Sequence, residues 1–138
     1  MIIQMNKLPV IFLFGVITFN ACSLFDSDPE SQELIGGWEA VAQKRGGERI
    51  SVDSLDIPKM VLQFNAASAY QQFVADTLAD SGTFSFFERR SSTLLELNSN
   101  TYKNSREFSF TFKSDDELEL FRICPNCSVI PVIYKRTR

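Results

Sequence analysis

Residues 106–120 read REFSFTFKSDDELEL, and this stretch decides the fold class. Phenylalanine alternates with a hydroxyl residue over 108–112, and glutamate alternates with leucine over 117–120. Because successive side chains of a β-strand point to opposite faces, each half predicts a strand with one apolar and one polar face. The intervening Ser-Asp-Asp is typical of a turn. The stretch therefore predicts two neighbouring strands of an antiparallel sheet with one dry face.

The same alternation continues through residues 34–138. Eight strand candidates follow one another, at 38–45, 58–64, 69–76, 83–88, 93–98, 106–113, 117–123 and 128–136. Turn sequences separate them, including Gly46-Gly47, Asn65 and Asp80-Ser81-Gly82. Before them, the segment after Pro29 can form one or two helical turns. Short consecutive strands close most simply as an up-and-down barrel, which removes exposed sheet edges. We therefore expect an all-β, eight-stranded antiparallel barrel with a short N-terminal helical turn.

The first 21 residues differ from the rest of the chain. Lys7 precedes an apolar run from Leu8 to Phe19, which is typical of a secretory signal peptide and too short to span a bilayer comfortably. The sequence Phe-Asn-Ala-Cys at 19–22 resembles a bacterial lipobox. That resemblance implies that Cys22 is acylated and becomes the first residue of the mature protein. The alternative is a plainly secreted protein in which Cys22 is free or paired.

Residues 22–33 are polar and acidic, as expected of a solvated tether between the lipid and the folded domain. Ser23 follows the cysteine where enteric lipoproteins retained in the inner membrane carry aspartate. The resemblance therefore implies lipid anchoring in the outer membrane of a Gram-negative bacterium, with the domain at residues 34–138.

Composition narrows the classes of function. The chain has 17 acidic and 14 basic residues and no histidine. Without histidine it cannot build a Ser-His-Asp triad or a histidine-ligated metal site. A weakly acidic chain without a basic block is also a poor partner for nucleic acid. We expect no enzyme activity, no cofactor and no metal.

The sequence Cys124-Pro125-Asn126-Cys127 is the most distinctive short motif. A zinc site needs about four ligands, and no second pair or histidine is present to complete one. A redox centre of the thioredoxin type needs a helix N-terminus, whereas the flanks here predict strands. A free dithiol is the third alternative. Outside the cytosol, the remaining even pair predicts a disulfide in the turn between the last two strands.

Two short segments resemble a known family. Leu34-Ile35-Gly36-Gly37-Trp38 is similar to the Gly-x-Trp entry of lipocalins, and Tyr134-Lys135-Arg136 is similar to the closing segment of short lipocalin-like bacterial lipoproteins. The resemblance implies that Trp38 packs beneath Arg136 and closes one end of the barrel, a structural cation–π contact of about 0.5–2 kcal/mol.

The opposite end should hold the loops near 46–57, 77–82, 99–105 and 124–127. The first loop lies where lipocalins carry a lid, and the alternative is a disordered hairpin connection. If Leu118 and Leu120 point inward, strict alternation also turns Arg122 inward. A guanidinium in an apolar interior needs a carboxylate partner or an anionic ligand. The alternative is a slip near the cysteines that turns Arg122 to solvent.

The aromatic residues of the strands should mainly pack the interior, with some lining a pocket. With Arg122, the candidates for ligand contact are Tyr70, Phe73, Phe84 and Phe110. The sequence thus predicts a monomeric, non-enzymatic binding module for a small apolar or amphiphilic ligand. The alternative is a protein-interaction module that uses its loops around a filled core, as in barrel lipoproteins resembling lysozyme inhibitors.

Overall fold

The computed structural model describes residues 29–138. The predicted signal peptide (1–21), the lipidation site Cys22 and residues 22–28 of the tether lie outside the described residues. Within the described part, no helix is long and apolar enough to cross a membrane.

Nine strands and two short helices make up the described chain. The predicted helical turn is confirmed as α1, Pro29–Leu34, which takes in the end of the predicted tether. The strands are β1 Gly36–Arg45, β2 Glu48–Ser51, β3 Met60–Phe64, β4 Ala69–Val74, β5 Thr77–Arg89, β6 Ser92–Ser99, β7 Arg106–Ser114, β8 Glu117–Ile123 and β9 Val132–Arg136. A 3-10 helix, Val52–Leu55, follows β2.

Eight of these strands form a closed barrel, which confirms the predicted fold class. Strands β1 and β3 to β9 lie side by side in chain order, each antiparallel to the next, and β9 pairs back onto β1. The extra strand β2 pairs with β1 beyond the point where β3 ends. The segment 46–57 is therefore ordered, and its interpretation as a disordered connection is wrong. The reason is that Gly46 and Gly47, both with positive φ, close a hairpin that extends β1.

Alternation fills the barrel with aromatic and branched side chains. Trp38, Leu95 and Leu118 are fully buried. A continuous series of ring contacts, with centroids 5.1–6.2 Å apart, joins Phe64, Phe84, Phe86, Phe110, Phe112 and Trp38. Such pairs are each worth about 0.5–1.5 kcal/mol beyond the area they bury. The end of the barrel near Trp38 is thus filled with side chains.

The closed end is built around Trp38 and Arg136, and the predicted contact is confirmed. The Arg136 guanidinium carbon lies 4.2 Å from the centre of the Trp38 ring. The indole Nε1 donates to the Leu34 carbonyl oxygen at 2.9 Å, which fixes α1 beneath the barrel. Arg136 also donates to the carbonyl oxygens of Glu33, Ile35 and Asp115, so it joins α1, β1 and the β7–β8 turn.

The start of β5 corrects the predicted turn at Asp80-Ser81-Gly82. The turn lies instead at residues 75–76, both with positive φ, and β5 begins at Thr77. Gly82 lies in mid-strand, where a Cβ would collide with the carbonyl oxygen of Asn98. This glycine therefore allows a close backbone approach within the sheet. The rim loop predicted at 77–82 is wrong for the same reason.

Candidate functional site

The end opposite Trp38 is open. Antiparallel order brings four connections to this end, namely the segment 46–59, the turn 75–76, and the loops 100–105 and 124–131. Two open cavities lie beneath them, and both are lined by Gln72, Arg106 and Arg122. Another, smaller cavity, about 260 Å³, lies beside Gly36 at the closed end and has no charged side chain in its lining.

The two open-end cavities differ in chemistry. One, here called the polar cavity, measures about 580 Å³ and is lined by Asp80, Tyr102, Lys103 and Asn104 in addition to the shared residues. The other, here called the apolar cavity, measures about 410 Å³. Its lining includes the buried Leu62, Leu97 and Tyr134, together with Phe108, Val132 and Ile130.

A buried polar group, the Asp80 cluster, lies beside the polar cavity. Asp80 is 4% exposed and accepts hydrogen bonds from the Tyr70 hydroxyl at 2.7 Å, from the Ser99 hydroxyl and from Arg106 Nη2. Arg106 Nη1 donates to Gln72 at 3.3 Å. These groups come from β4, β5, β6 and β7, so the cluster joins four consecutive strands. The charge of Arg106 is balanced by that of Asp80.

The Asp80 carboxylate stays ionised inside the barrel. Burial by itself raises its pKa, but hydrogen bonds from Ser99 and Tyr70 and the positive charge of Arg106 outweigh burial and hold the pKa below its ordinary value. Burial and the bond to Asp80 raise the pKa of Tyr70, so its hydroxyl keeps its proton. Asp80 therefore acts as an acceptor that fixes Tyr70 and Arg106.

The lowered pKa predicts a loss of stability in acid. A carboxyl whose pKa is lower in the folded than in the unfolded chain stabilises the fold above the unfolded value, here 3.8, and loses that contribution as the pH falls through the folded value. We expect the free energy of unfolding, measured by urea denaturation between pH 3 and 7, to fall more steeply below about pH 4 in the wild type than in Asp80→Asn. Parallel curves for the two proteins would contradict this assignment.

Arg122 lies in phase with Leu118 and Leu120 along β8, as alternation predicts, and its side chain is exposed at the open end. It lies opposite Phe108 across the β7–β8 pair and lines both open-end cavities. The β7–β8 pairing stays in register from Leu118 to Ile123, so no slip occurs near the cysteines, but Arg122 is nevertheless exposed to solvent, as that alternative expected. The predicted carboxylate partner is not there: Arg122 makes no hydrogen bond or ion pair with any residue from 29 to 138. Its exposed side chain keeps the guanidinium hydrated.

The other predicted ligand contacts are not brought to the cavities. Tyr70 belongs to the Asp80 cluster, and Phe84 and Phe110 belong to the packed aromatic series. Phe73 pairs with Val61 and Leu78, on the face opposite to Gln72. None of the four lines either open-end cavity.

The segments predicted to form the rim also differ in whether they line a cavity. No residue of 46–57 lines either cavity, so a lid role for that segment stays a prediction. The predicted disulfide Cys124–Cys127 is confirmed, with Cα atoms 5.6 Å apart, and the free dithiol is wrong. Cys127 lines the apolar cavity, which places the disulfide at its edge.

Sequence reasoning missed Asp80, Arg106 and Lys103. For two of them a signal was present. Asp80 is in phase with Phe84 and Phe86 along β5, and Arg106 is in phase with Phe108 and Phe110 along β7, so each shares a strand face with phenylalanines. Each of these two polar side chains therefore lies near the open end of a strand face that is otherwise apolar.

Taken together, the open end presents a concave site with an apolar wall, an internally balanced Asp80 cluster and an unpaired guanidinium. This arrangement can hold a molecule with an apolar part and a polar part. No family model matches the chain, and the curated proteins contain no match to it.

Proposed function

We propose that this protein is a non-enzymatic binding module that takes a small apolar or amphiphilic molecule into the apolar cavity at its open end. The observation that carries the proposal is the cavity itself, whose lining includes five apolar or aromatic side chains, those of Leu62, Leu97, Phe108, Val132 and Tyr134. Its volume of about 410 Å³ falls in the range of ligand pockets, which are mostly apolar with few polar groups. The closed end also has cavities, of about 260 and 390 Å³, but each has only one aromatic side chain in its lining, Phe64 or Phe112, and so suits an apolar ligand less well.

The proposed setting is the bacterial outer membrane. The apolar run after Lys7 and the lipobox-like sequence at 19–22 support an anchor on Cys22, and the Trp38–Arg136 contact supports the resemblance to lipocalin-like lipoproteins. The barrel would act there as a monomer.

A second candidate function is protein binding through the open end. Tyr102 and Ile130, in two of its loops, are 58% and 36% exposed, and exposed apolar side chains can mark a protein contact. A stoichiometric protein recovered from envelope extract, with no co-purifying small molecule, would favour this function over the first.

A cavity-filling substitution tests the favoured function. The apolar, uncharged fluorescent probe N-phenyl-1-naphthylamine is titrated into the full-length chain carrying Cys22→Ser, so that no acyl chain of the protein competes. Val129 lines the apolar cavity, whereas Asn126 lies in the same loop and lines neither open-end cavity. Val129→Trp should fill the cavity and weaken probe binding by about tenfold or more, a loss of about 1.4 kcal/mol.

The matched control is Asn126→Trp, which adds the same side chain outside the cavity and should change the affinity by less than about twofold. Equal effects of the two substitutions would place the probe elsewhere. A wild-type protein that does not bind the probe at all would contradict the proposed function.

A further inference from the structure

We propose that the ligand carries one oxyanion headgroup, a carboxylate or a phosphate, and that Arg122 binds this head where the two open-end cavities meet. This inference rests on the proposed function and adds the chemical class and the orientation of the ligand. The head lies on the side of the polar cavity, and the apolar chain extends into the apolar cavity.

The first step is the position of Arg122. Its side chain lines both cavities, so a group bound to it is in reach of the polar residues on one side and of Phe108 and Val132 on the other. A guanidinium presents a planar set of donors that fits a carboxylate or phosphate with two parallel hydrogen bonds. The junction is therefore suited to a molecule with a charged end and an apolar chain.

The second step is the balance of charge in the polar cavity. Three cations and one acid line it, and only one of the cations, Arg106, is paired with Asp80. Arg106 also donates to the Gln72 side-chain oxygen and to the Tyr70 hydroxyl oxygen, which commits it to the barrel wall. Arg122 and Lys103 have no charged partner among residues 29–138. The polar cavity thus has an excess of positive charge that an anionic head would balance.

The third step concerns how the polar cavity is held in shape. The Ser99 hydroxyl donates to Asp80 and accepts from the backbone amides of Thr101 and Tyr102, both at 3.0 Å. The loop that carries Lys103 is therefore tied to the Asp80 cluster. This arrangement orders the polar cavity before a ligand arrives, which lowers the entropic cost of binding.

Three ligands with the same twelve-carbon chain test the inference. Dodecanoate, dodecyl phosphate and dodecan-1-ol are titrated calorimetrically into the Cys22→Ser chain, the two anions below their micellar concentrations and the alcohol below its solubility limit. In the wild type, the two anions should bind about tenfold more tightly than the alcohol, as expected for hydrogen bonds to a charged group. Arg122→Gln should reduce the affinity for both anions to that for the alcohol and leave the alcohol unchanged. Arg122→Lys should restore only part of the preference, because it keeps the charge but not the planar donor set.

The matched control is Arg45→Gln. Arg45 is an exposed arginine at the last position of β1, at the open end of the barrel. It donates a hydrogen bond to the Gln43 side chain and lines neither open-end cavity. This variant removes the same charge and should keep the preference for anions. Equal affinities for the three ligands in the wild type, or a preference that survives Arg122→Gln, would overturn the inference while leaving the proposed function in place. Failure of all three ligands to bind would contradict both.

Discussion

Replacing Asp80 with leucine is expected to lower the free energy of unfolding by about 3–5 kcal/mol, because it leaves the charge of Arg106 without its partner inside the barrel wall. The Arg106 side chain is 20% exposed, so water can compensate for only part of the loss. The Tyr70 and Ser99 hydroxyls lose their acceptor at the same time. Since small domains have about 5–15 kcal/mol of stability in total, the variant should be close to unfolding at 37 °C.

A double-mutant cycle separates the charge from the packing. Arg106→Met alone leaves the Asp80 carboxylate buried without a cation and should also be strongly destabilising. Asp80→Leu combined with Arg106→Met removes both charges, and its cost should be several kcal/mol smaller than the sum of the two single costs. Urea denaturation followed by circular dichroism measures all three variants. Additive costs would mean that the ion pair does not explain the sensitivity of this site.

The fold was accessible from the sequence because its signal is local. Alternation over 108–112 and 117–120 identifies two strands directly, and similar short segments locate the other barrel strands, although β5 begins six residues before its predicted start and β2 was not predicted. Short turns between consecutive strands then leave few ways to connect them. The closed-end pair Trp38 and Arg136 followed from a resemblance, and its 4.2 Å contact agrees with it.

The candidate site was less accessible because its contacts are not local. Asp-Ser-Gly at 80–82 has the composition of a turn, and only the approach of the Asn98 backbone explains why a glycine lies in mid-strand. Asp80 and Arg106 are 26 residues apart and meet because β5 and β7 flank β6. No short sequence pattern indicates a contact between two residues so far apart along the chain. The position of Arg122 was predictable, since it extends the alternation of Leu118 and Leu120 by one more step.

The second large effect is expected at the closed end. Trp38→Ala should lower the free energy of unfolding by about 3–5 kcal/mol, as is typical for the removal of a buried tryptophan. Trp38 is fully buried, lies under Arg136 and holds α1 through the Leu34 carbonyl. Trp38→Phe keeps a ring beneath the guanidinium but loses the donor to Leu34, so its cost should be intermediate. Because Trp38 is the only tryptophan, circular dichroism rather than fluorescence follows unfolding.

The control is Tyr102→Ala, which removes an aromatic ring that is 58% exposed and should cost less than about 0.5 kcal/mol.

Hydrogen exchange adds a local readout, since Trp38 and Arg136 are register partners where β1 meets β9. In Trp38→Phe, amides of β9 should exchange faster than in the wild type. Amides of β6, which lies four strands away from β1 around the barrel, should exchange faster only to the extent that the free energy of global unfolding falls. A uniform change across all strands would show that Trp38 stabilises the barrel as a whole and not its closure between β1 and β9. If Trp38→Ala costs no more than Tyr102→Ala, packing beneath Arg136 is not what holds this end of the barrel.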